Sequence, residues 1–294
     1  MKPASFDYHD PATLAEALDL MARYGDGARP LAGGQSLVPL MNFRLLRPAH
    51  IVDLNGVSEL NYLNVEHYTL RIGAIARQRA LERSAEVAQR WPLLHDATAF
   101  IGHIQIRNRG TVGGSLAHAF PSAELPIAMV TLDASVLIRA KTGNRILRAE
   151  EFFVSYMTTA LDPGDLLTEI AVPELPPNCG WSYQEVSRRH GDFALAGAAS
   201  VIALDDTGSI AHARLTLTGT TPIRAIEAEQ SLLGEKPSEA LLKNAAERAT
   251  ANLEQDSDIH ASAEYRRNAC QALARRALAQ AAERAAERAK GNSR

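Results

Sequence analysis

Cysteine is nearly absent: Cys179 and Cys270 are the only two in 294 residues. Iron–sulfur clusters and cysteine-ligated zinc sites take several thiolates, usually at short spacing, so the chain is expected to hold neither, and two thiols so far apart read as free. A surplus of positive charge is missing too. With 31 Lys and Arg against 34 Asp and Glu the formal net charge is -3, and binding to nucleic acid or anionic lipid, which starts from a basic face, has no general electrostatic drive. No apolar run approaches the length that spans a bilayer, and the opening MKPASFDYHD lacks the apolar core of a signal peptide. The reading is a cytoplasmic protein with no membrane span and no nucleic-acid partner. The nine histidines fall in no H-E-x-x-H or paired metal spacing. There is no G-x-S-x-G nucleophile elbow, no G-x-x-x-x-G-K-[ST] phosphate loop and no G-x-G-x-x-G fingerprint. Hydrolase, nucleotide phosphatase and Rossmann dehydrogenase thereby lose their main sequence support.

What is present is a repeated glycine pair. Ala32-Gly33-Gly34-Gln35-Ser36 and Thr111-Val112-Gly113-Gly114-Ser115 lie far apart, yet each offers side-chain-free backbone followed by a hydroxyl. Glycine pairs let backbone N–H groups converge closely on an anion. Residues 35–44 (QSLVPLMNFR) are apolar at roughly helical intervals, with Pro39 near the first turn where proline is tolerated, so a positive helix end would face the same anion. Either pair alone reads more readily as a tight turn than as a ligand site. Their repetition points to one ligand with two phosphates.

Along the chain, Thr13 and Glu16 form a capping box for a helix to Tyr24, which Gly25 ends. Short strands are expected at about 29–31 and 51–54, giving a small α/β unit. Residues 70–75 read as a strand, and 81–101 as helix broken at Trp91-Pro92. Residues 134–139 and 165–172 read as strands, the first followed by a turn at 141–144. The proline cluster 173–177 (PELPP) marks the boundary between domains at 1–176, itself split at about 55, and 177–294. Beyond it, 181–187, 194–204 and 211–218 form a three-stranded antiparallel meander, and 223–233, 237–253 and 261 onward are helical by propensity. The tail AAERAAERAK reads as a solvated surface helix, where Arg284→Ala would be near neutral. Strands followed by helices imply an α+β arrangement.

At the two glycine motifs the sequence resembles a known family. AGGQSLVPLMNFRLLRP and IRNRGTVGGSLAHAFPSAELP are similar to the two flavin-binding stretches of the FAD (medium) subunit of molybdenum hydroxylases, the xanthine dehydrogenase, carbon monoxide dehydrogenase and quinoline oxidoreductase group. RRHGDFALAGAA and SDIHAS fit the same pattern, so the resemblance spans nearly the whole chain. It implies an FAD-binding module of the p-cresol methylhydroxylase/vanillyl-alcohol oxidase type at 1–176, then the C-terminal domain of the flavoprotein subunit.

The resemblance also assigns residues. The diphosphate lies between Ala32, Gly33, Gly34, Gln35 and Ser36 on one side and Thr111, Val112, Gly113, Gly114 and Ser115 on the other, with Leu31 and Leu37 flanking the cofactor path. Glu124 falls where relatives place an aspartate on the ribose or ribityl region. Leu166, Tyr183, Gln184 and Phe193 match positions beside the isoalloxazine ring, although xanthine-oxidising members often carry lysine where Gln184 stands. Arg107 and Arg109 read as braces around Asn108, and His103 and His118 as packed residues. No catalytic or metal-binding residue is implied on this chain. Two partners are: a small subunit with [2Fe-2S] clusters, which the cysteine count excludes from this chain, and a large molybdopterin subunit, assembled as a dimer of heterotrimers. Electrons would pass from clusters to FAD to an external acceptor during oxidation of an N-heteroaromatic compound. A self-sufficient flavin oxidase and a non-catalytic nucleotide-binding module remain as alternatives.

Overall fold

Thr13 starts the first helix as its capping box predicts. Its Oγ1 accepts the Glu16 N–H at 3.2 Å, and the Glu16 carboxylate accepts the Thr13 N–H at 3.3 Å. In the computed structural model, which describes residues 2–292, this helix follows strand β1 (Asp7–His9) as α1 (Leu14–Tyr24) and buries Leu14, Ala17 and Met21. The chain then runs through β2 (Ala28–Leu31), the first glycine loop, α2 (Leu37–Asn42) and β3 (His50–Asp53). These strands form a parallel sheet in the order β1-β3-β2. Three residues long and largely exposed, β1 has no periodicity to betray it.

The second unit opens with the hairpin β4 (Leu63–Glu66) and β5 (Thr69–Gly73). A helical stretch follows: α3 (Gln78–Arg83), α4 (Ala85–Arg90), α5 (Pro92–Phe100), α6 (Ile104–Arg109), α7 (Val112–His118) and α8 (Glu124–Thr131). The expected break at Pro92 is present, where proline sits in the first turn of α5. A second break at Ser84, whose hydroxyl caps α4 by accepting the Val87 N–H at 3.2 Å, divides what the sequence presents as one helix. After β6 (Ser135–Ala140), β7 (Gly143–Arg148), the short α9 (Ala149–Phe152) and the small hairpin β8 (Phe153–Ser155) and β9 (Thr158–Thr159), strand β10 (Leu166–Pro173) returns to the middle of an antiparallel sheet. Its order is β4-β5-β10-β6-β7. Trp91, fully buried, ties the helices to β10 by donating its indole N–H to the Val172 carbonyl at 3.1 Å.

Past the prolines, β11 (Cys179–Ser187), β12 (Ala194–Leu204), β13 (Ile210–Leu217) and β14 (Ile223–Arg224) form an antiparallel meander. The sheet has four strands, not the expected three. Thr216 and Leu217 pair with Arg224 and Ile223 at the head of a stretch that reads as helix. Helices α10 (Ile226–Leu232), α11 (Glu239–Thr250) and α12 (Ala263–Asn292) complete the chain.

Strand alternation makes this sheet a middle layer. Tyr183, Ala199 and Val201 join the apolar core of the second unit, whereas Ala196, Ala198 and Ile202 face the final helices. One apolar core runs across the proline cluster at 173–177, from Val172 to Tyr183 and Val201.

The tail corrects the reading of a solvated surface helix. Ala281 and Ala285 are fully buried, and α12 lies so close to β11 that a Cβ on Gly180 would collide with the backbone at Ala281 and Ala285. Arg284 donates to the Trp181 carbonyl at 2.9 Å, stacks 4.8 Å from that indole centroid and lies 3.5 Å from the Asp96 carboxylate. Arg288 covers the same ring at 4.4 Å. Arg284 is therefore a clamp between α12, β11 and α5, contacts that a near-neutral Arg284→Ala does not fit.

Candidate functional site

The first glycine loop leaves β2 at Leu31 and enters α2 at Leu37. Gly34 takes φ +72°, a left-handed conformation that side chains resist. Gly33 packs against the chain just before the second motif, where a Cβ would strike the Arg109 carbonyl and lie 2.9 Å from Gly110 Cα. The N–H groups of residues 33–37 meet no acceptor among the described residues. Ser36 makes no side-chain capping bond. Five successive donors thus remain available at the mouth of a parallel βαβ unit, an arrangement suited to an anion.

The second pair meets the first but differs from it. Val112 donates to Ala76 at 3.0 Å, Gly113 to Ala74 at 2.9 Å, Gly114 to Thr111 Oγ1 at 3.0 Å and Ser115 to the Thr111 carbonyl at 3.2 Å. All four amides are satisfied internally. Gly113 permits contact with Ala74, and Gly114 faces Ala32, whose Cβ would stand 3.7 Å from a Cβ built there. The second segment supplies a wall and the Ser115 hydroxyl, which has no hydrogen-bond partner among the described residues.

Between α2, β3 and the end of α6 is a cavity of about 340 Å³, lined by Leu31 to Gln35 of the first loop, Val38, Pro39, Asp53, Asn55 and Arg109. Asn55 braces the loop by donating to the Ala32 carbonyl at 2.9 Å, and its side-chain oxygen accepts from Arg77 at 2.5 Å. Arg77 also donates to the Arg109 carbonyl at 2.7 Å. Burial, and then the nearby Arg109 charge, depress the pKa of Arg77. Arg107 is the brace that its position suggests: buried, it holds Glu82 at 2.8 and 2.9 Å and the Ile101 carbonyl at 2.7 Å. Arg109 is not a second brace. It is exposed at the cavity wall, without an acidic partner among the described residues. Asn55 and Arg77, absent from the sequence-derived set, are recruited by contacts across 22 and 23 positions of chain, which no local motif announces.

The ring-end candidates occupy three environments. Glu124 opens α8 and is 8% exposed, its carboxyl accepting from its own backbone N–H. Burial, reinforced by Glu185, pushes its carboxyl up to about 8. Tyr183 is buried on the same side, donating to Glu185 at 3.1 Å with its ring 5.2 Å from that of Phe100. Glu185 is itself raised to about 7 by burial, against the lowering effect of the Tyr183 hydroxyl. Gln184, one residue on, faces the other way and donates to Ser182 at 3.1 Å and Gln280 at 3.0 Å. A planar ring lying on one face of β11 would meet Tyr183 or Gln184, not both. Leu166 is buried in the core of the first unit with Ile75 and Met21. Phe193 is 66% exposed and leans on Phe120, centroid to centroid 4.6 Å, with His118 stacked beyond at 6.2 Å. His118 is half-buried, and burial lowers its pKa. His103 packs against Gly191, where a Cβ would run into the imidazole.

The residues present fit a dinucleotide diphosphate: open amides, free hydroxyls and a guanidinium around a groove that a glycine Cβ would narrow. Cys179 and Cys270 are buried and free, and no group of three or more potential metal ligands occurs among the described residues. No helix among them is long and apolar enough to cross a membrane.

Comparison with known proteins agrees with this geometry. Residues 4–175 match the FAD binding domain in molybdopterin dehydrogenase, and residues 181–281 the CO dehydrogenase flavoprotein C-terminal domain. The 6-hydroxypseudooxynicotine dehydrogenase complex subunit alpha of Paenarthrobacter nicotinovorans is 44% identical over 287 residues, covering 97% of each chain. Caffeine dehydrogenase subunit beta of Pseudomonas sp. (strain CBB1) is 40% identical over the same length and coverage. A solved carbon monoxide dehydrogenase from Hydrogenophaga pseudoflava, described as lacking the Mo-pyranopterin moiety of its molybdenum cofactor, superposes with a TM-score of 0.94 at 35% identity, covering 97% of this chain and 99% of that one.

Proposed function

Because the chain belongs to the FAD-binding flavoprotein family of molybdopterin dehydrogenases, we propose that it is the electron-exit subunit of a molybdenum hydroxylase. It works in the cytoplasm with a small [2Fe-2S] subunit and a large molybdopterin subunit, in a dimer of heterotrimers. The carrying observation is the row of unsatisfied amides at residues 33–37, set against Arg109. These donors hold the diphosphate, the free hydroxyls of Ser36 and Ser115 complete its shell, and Arg109 offsets its charge. Leu31 and Ala32 supply the walls, while Leu37 lines a neighbouring apolar slot and Val112 lies in the core behind the second loop. When bound, FAD supplies the capacity to take electrons singly and release them one or two at a time.

The chain's own residues bind, orient and shield. A Glu124 carboxyl that stays protonated near neutrality can donate a hydrogen bond to a ribose or ribityl hydroxyl, which an ionised carboxylate cannot. Leu166 and Tyr183 exclude water from the ring end, and Phe193 covers it from the open side. The relatives named for a nicotine derivative and for caffeine favour an N-heteroaromatic substrate, oxidised on the large subunit. The test is colour and reduction. The purified chain reconstituted with FAD should retain visible flavin absorbance through gel filtration, and that absorbance should bleach when the complex receives substrate. A colourless chain would refute cofactor binding, and bleaching of the isolated chain by substrate would favour a self-sufficient oxidase.

A further inference from the structure

We propose that Asp53 reads the ribose of the bound dinucleotide, accepting a hydrogen bond from a sugar hydroxyl beside the diphosphate; this rests on the reading above that the cavity holds FAD. Asp53 ends β3 and pairs with Leu31 at the end of β2, so it stands one strand spacing from the start of the first glycine loop. It lines the same cavity as Gly33 and Gly34. A carboxylate beside an anion is repelled unless something offsets the like charges. No cation binds it: Asp53 forms no ion pair among the described residues, and Arg77, close enough to feel its charge, donates instead to the Asn55 side chain and the Arg109 carbonyl. What remains is a donor that the ligand brings.

The carboxylate is held ready for one. Its Oδ1 accepts the Asn55 N–H at 2.9 Å and the Asn55 side-chain amide, and its Oδ2 accepts the Tyr8 hydroxyl at 2.6 Å. The bond to Asp53 pushes that hydroxyl up to about 12, so Tyr8 stays a donor. A carboxylate offers about four acceptor positions, and these three donors leave one open on Oδ2. They also fix its orientation before a ligand arrives, which lessens the freedom lost on binding. The same Asn55 amide holds the Ala32 carbonyl at 2.9 Å, so one side chain sets both the acid and the anion loop.

Chain order gives the same answer. In parallel β-α-β nucleotide sites the phosphates lie on the turn after one strand, and an acid at the end of the next, about 20 residues on, takes ribose hydroxyls. Asp53 follows Gly33 by 20 residues, at the end of a β2-α2-β3 unit that lacks the G-x-G-x-x-G fingerprint. Position also selects the sugar. Tyr183 and Phe193, at the ring end, lie in and beside the C-terminal meander, whereas Asp53 belongs to the first unit. The hydroxyl within its reach is therefore on the adenosine side.

The test titrates the FAD-free full-length chain calorimetrically with ADP, 2′,3′-dideoxy-ADP and inorganic pyrophosphate. Wild type should bind ADP about tenfold more tightly than the dideoxy form, as expected for one hydrogen bond to a charged group. Asp53→Ala should bind the two within about twofold of each other, and should bind pyrophosphate at least as tightly as wild type because a like charge has gone. Wild type that binds FAD but not ADP, or that binds ADP and the dideoxy form equally, would overturn the assignment. So would a preference that survives undiminished in Asp53→Ala. If Asp53→Ala loses pyrophosphate because the loop is disturbed, Asp53→Asn decides. Its preference should fall to about threefold, since a neutral acceptor makes a bond of about half the strength, and retention of the full preference would overturn the role. A wild-type chain that takes up neither FAD nor ADP would instead refute the cofactor reading.

Discussion

The two glycine loops look alike in sequence and behave differently in the fold. The first leaves five amides without acceptors among the described residues and borders an exposed guanidinium; the second uses its four amides on Ala74, Ala76 and Thr111. The first is a donor surface and the second a structural wall. Similar motifs therefore need not share a role. What decides is whether the neighbouring backbone already supplies acceptors, and the end of β5 does so for the second loop only. The largest expected effect tests this asymmetry. Gly34→Val places a β-branched residue at φ +72°, where the built Cβ already lies 3.2 Å from Val38 and 3.3 Å from Leu31. FAD retention through gel filtration should be abolished while the far-ultraviolet circular dichroism is kept. Wild-type flavin content in this variant would contradict a donor role for the first loop.

The contrast extends to charge. Arg109, with no acidic partner among the described residues, stands on the first loop's side, whereas Glu124, Tyr183 and the half-buried Glu185 cluster beyond the second, with Arg107 the cation whose charge reaches Glu124. Glu124 is held above its ordinary value of 4.5, so the folded chain binds more protons than the unfolded one between that pH and about 8. Its folded state is then favoured at low pH and loses stability as pH rises through that window, by about 3 kcal/mol between pH 5 and pH 7 at the full slope. Glu185, raised to about 7, adds to the same trend. Glu124→Gln should flatten the denaturation midpoint against pH and exceed wild-type stability above pH 8. An unchanged slope would show that Glu124 ionises freely.

A smaller effect is expected at the cavity wall. Arg109→Ala removes one charge-assisted contact to a diphosphate, weakening FAD affinity about tenfold and lessening its salt dependence. Isothermal titration at two ionic strengths checks both. Affinity that is unchanged at low salt would leave the amides as the whole anion site.

Features written in local chemistry were legible beforehand: the Thr13 cap, the Pro92 restart, the 141–144 turn and both glycine loops. Features made by distant contacts were not. Asn55 and Arg77 carry no motif, and their importance arises only when β3 and the segment after β5 converge on the first loop. The tail misled because alanine is equally at home on a solvated helix and under one. Only Gly180 on another strand, which lets the helix backbone approach, reveals that Ala281 and Ala285 are core. Likewise the prolines separate two stretches of chain, yet the alternation of β11 sends Tyr183 back into the first domain's core.

The smallest expected effect is the sharpest probe of the wall. Thr111 Oγ1 accepts the Gly114 N–H at 3.0 Å and so caps α7. Thr111→Ala removes that acceptor and should cost about 1 kcal/mol of stability, the usual loss for such a cap. If the second loop acts through shape alone, FAD affinity should change by less than about threefold, since its backbone stays docked on Ala74 and Ala76 and no ligand-facing donor is lost. The freed Gly114 amide could instead turn to the diphosphate. In that case FAD would bind more tightly as the chain becomes less stable, and the two loops would differ only because one hydroxyl competes with the ligand for a single N–H.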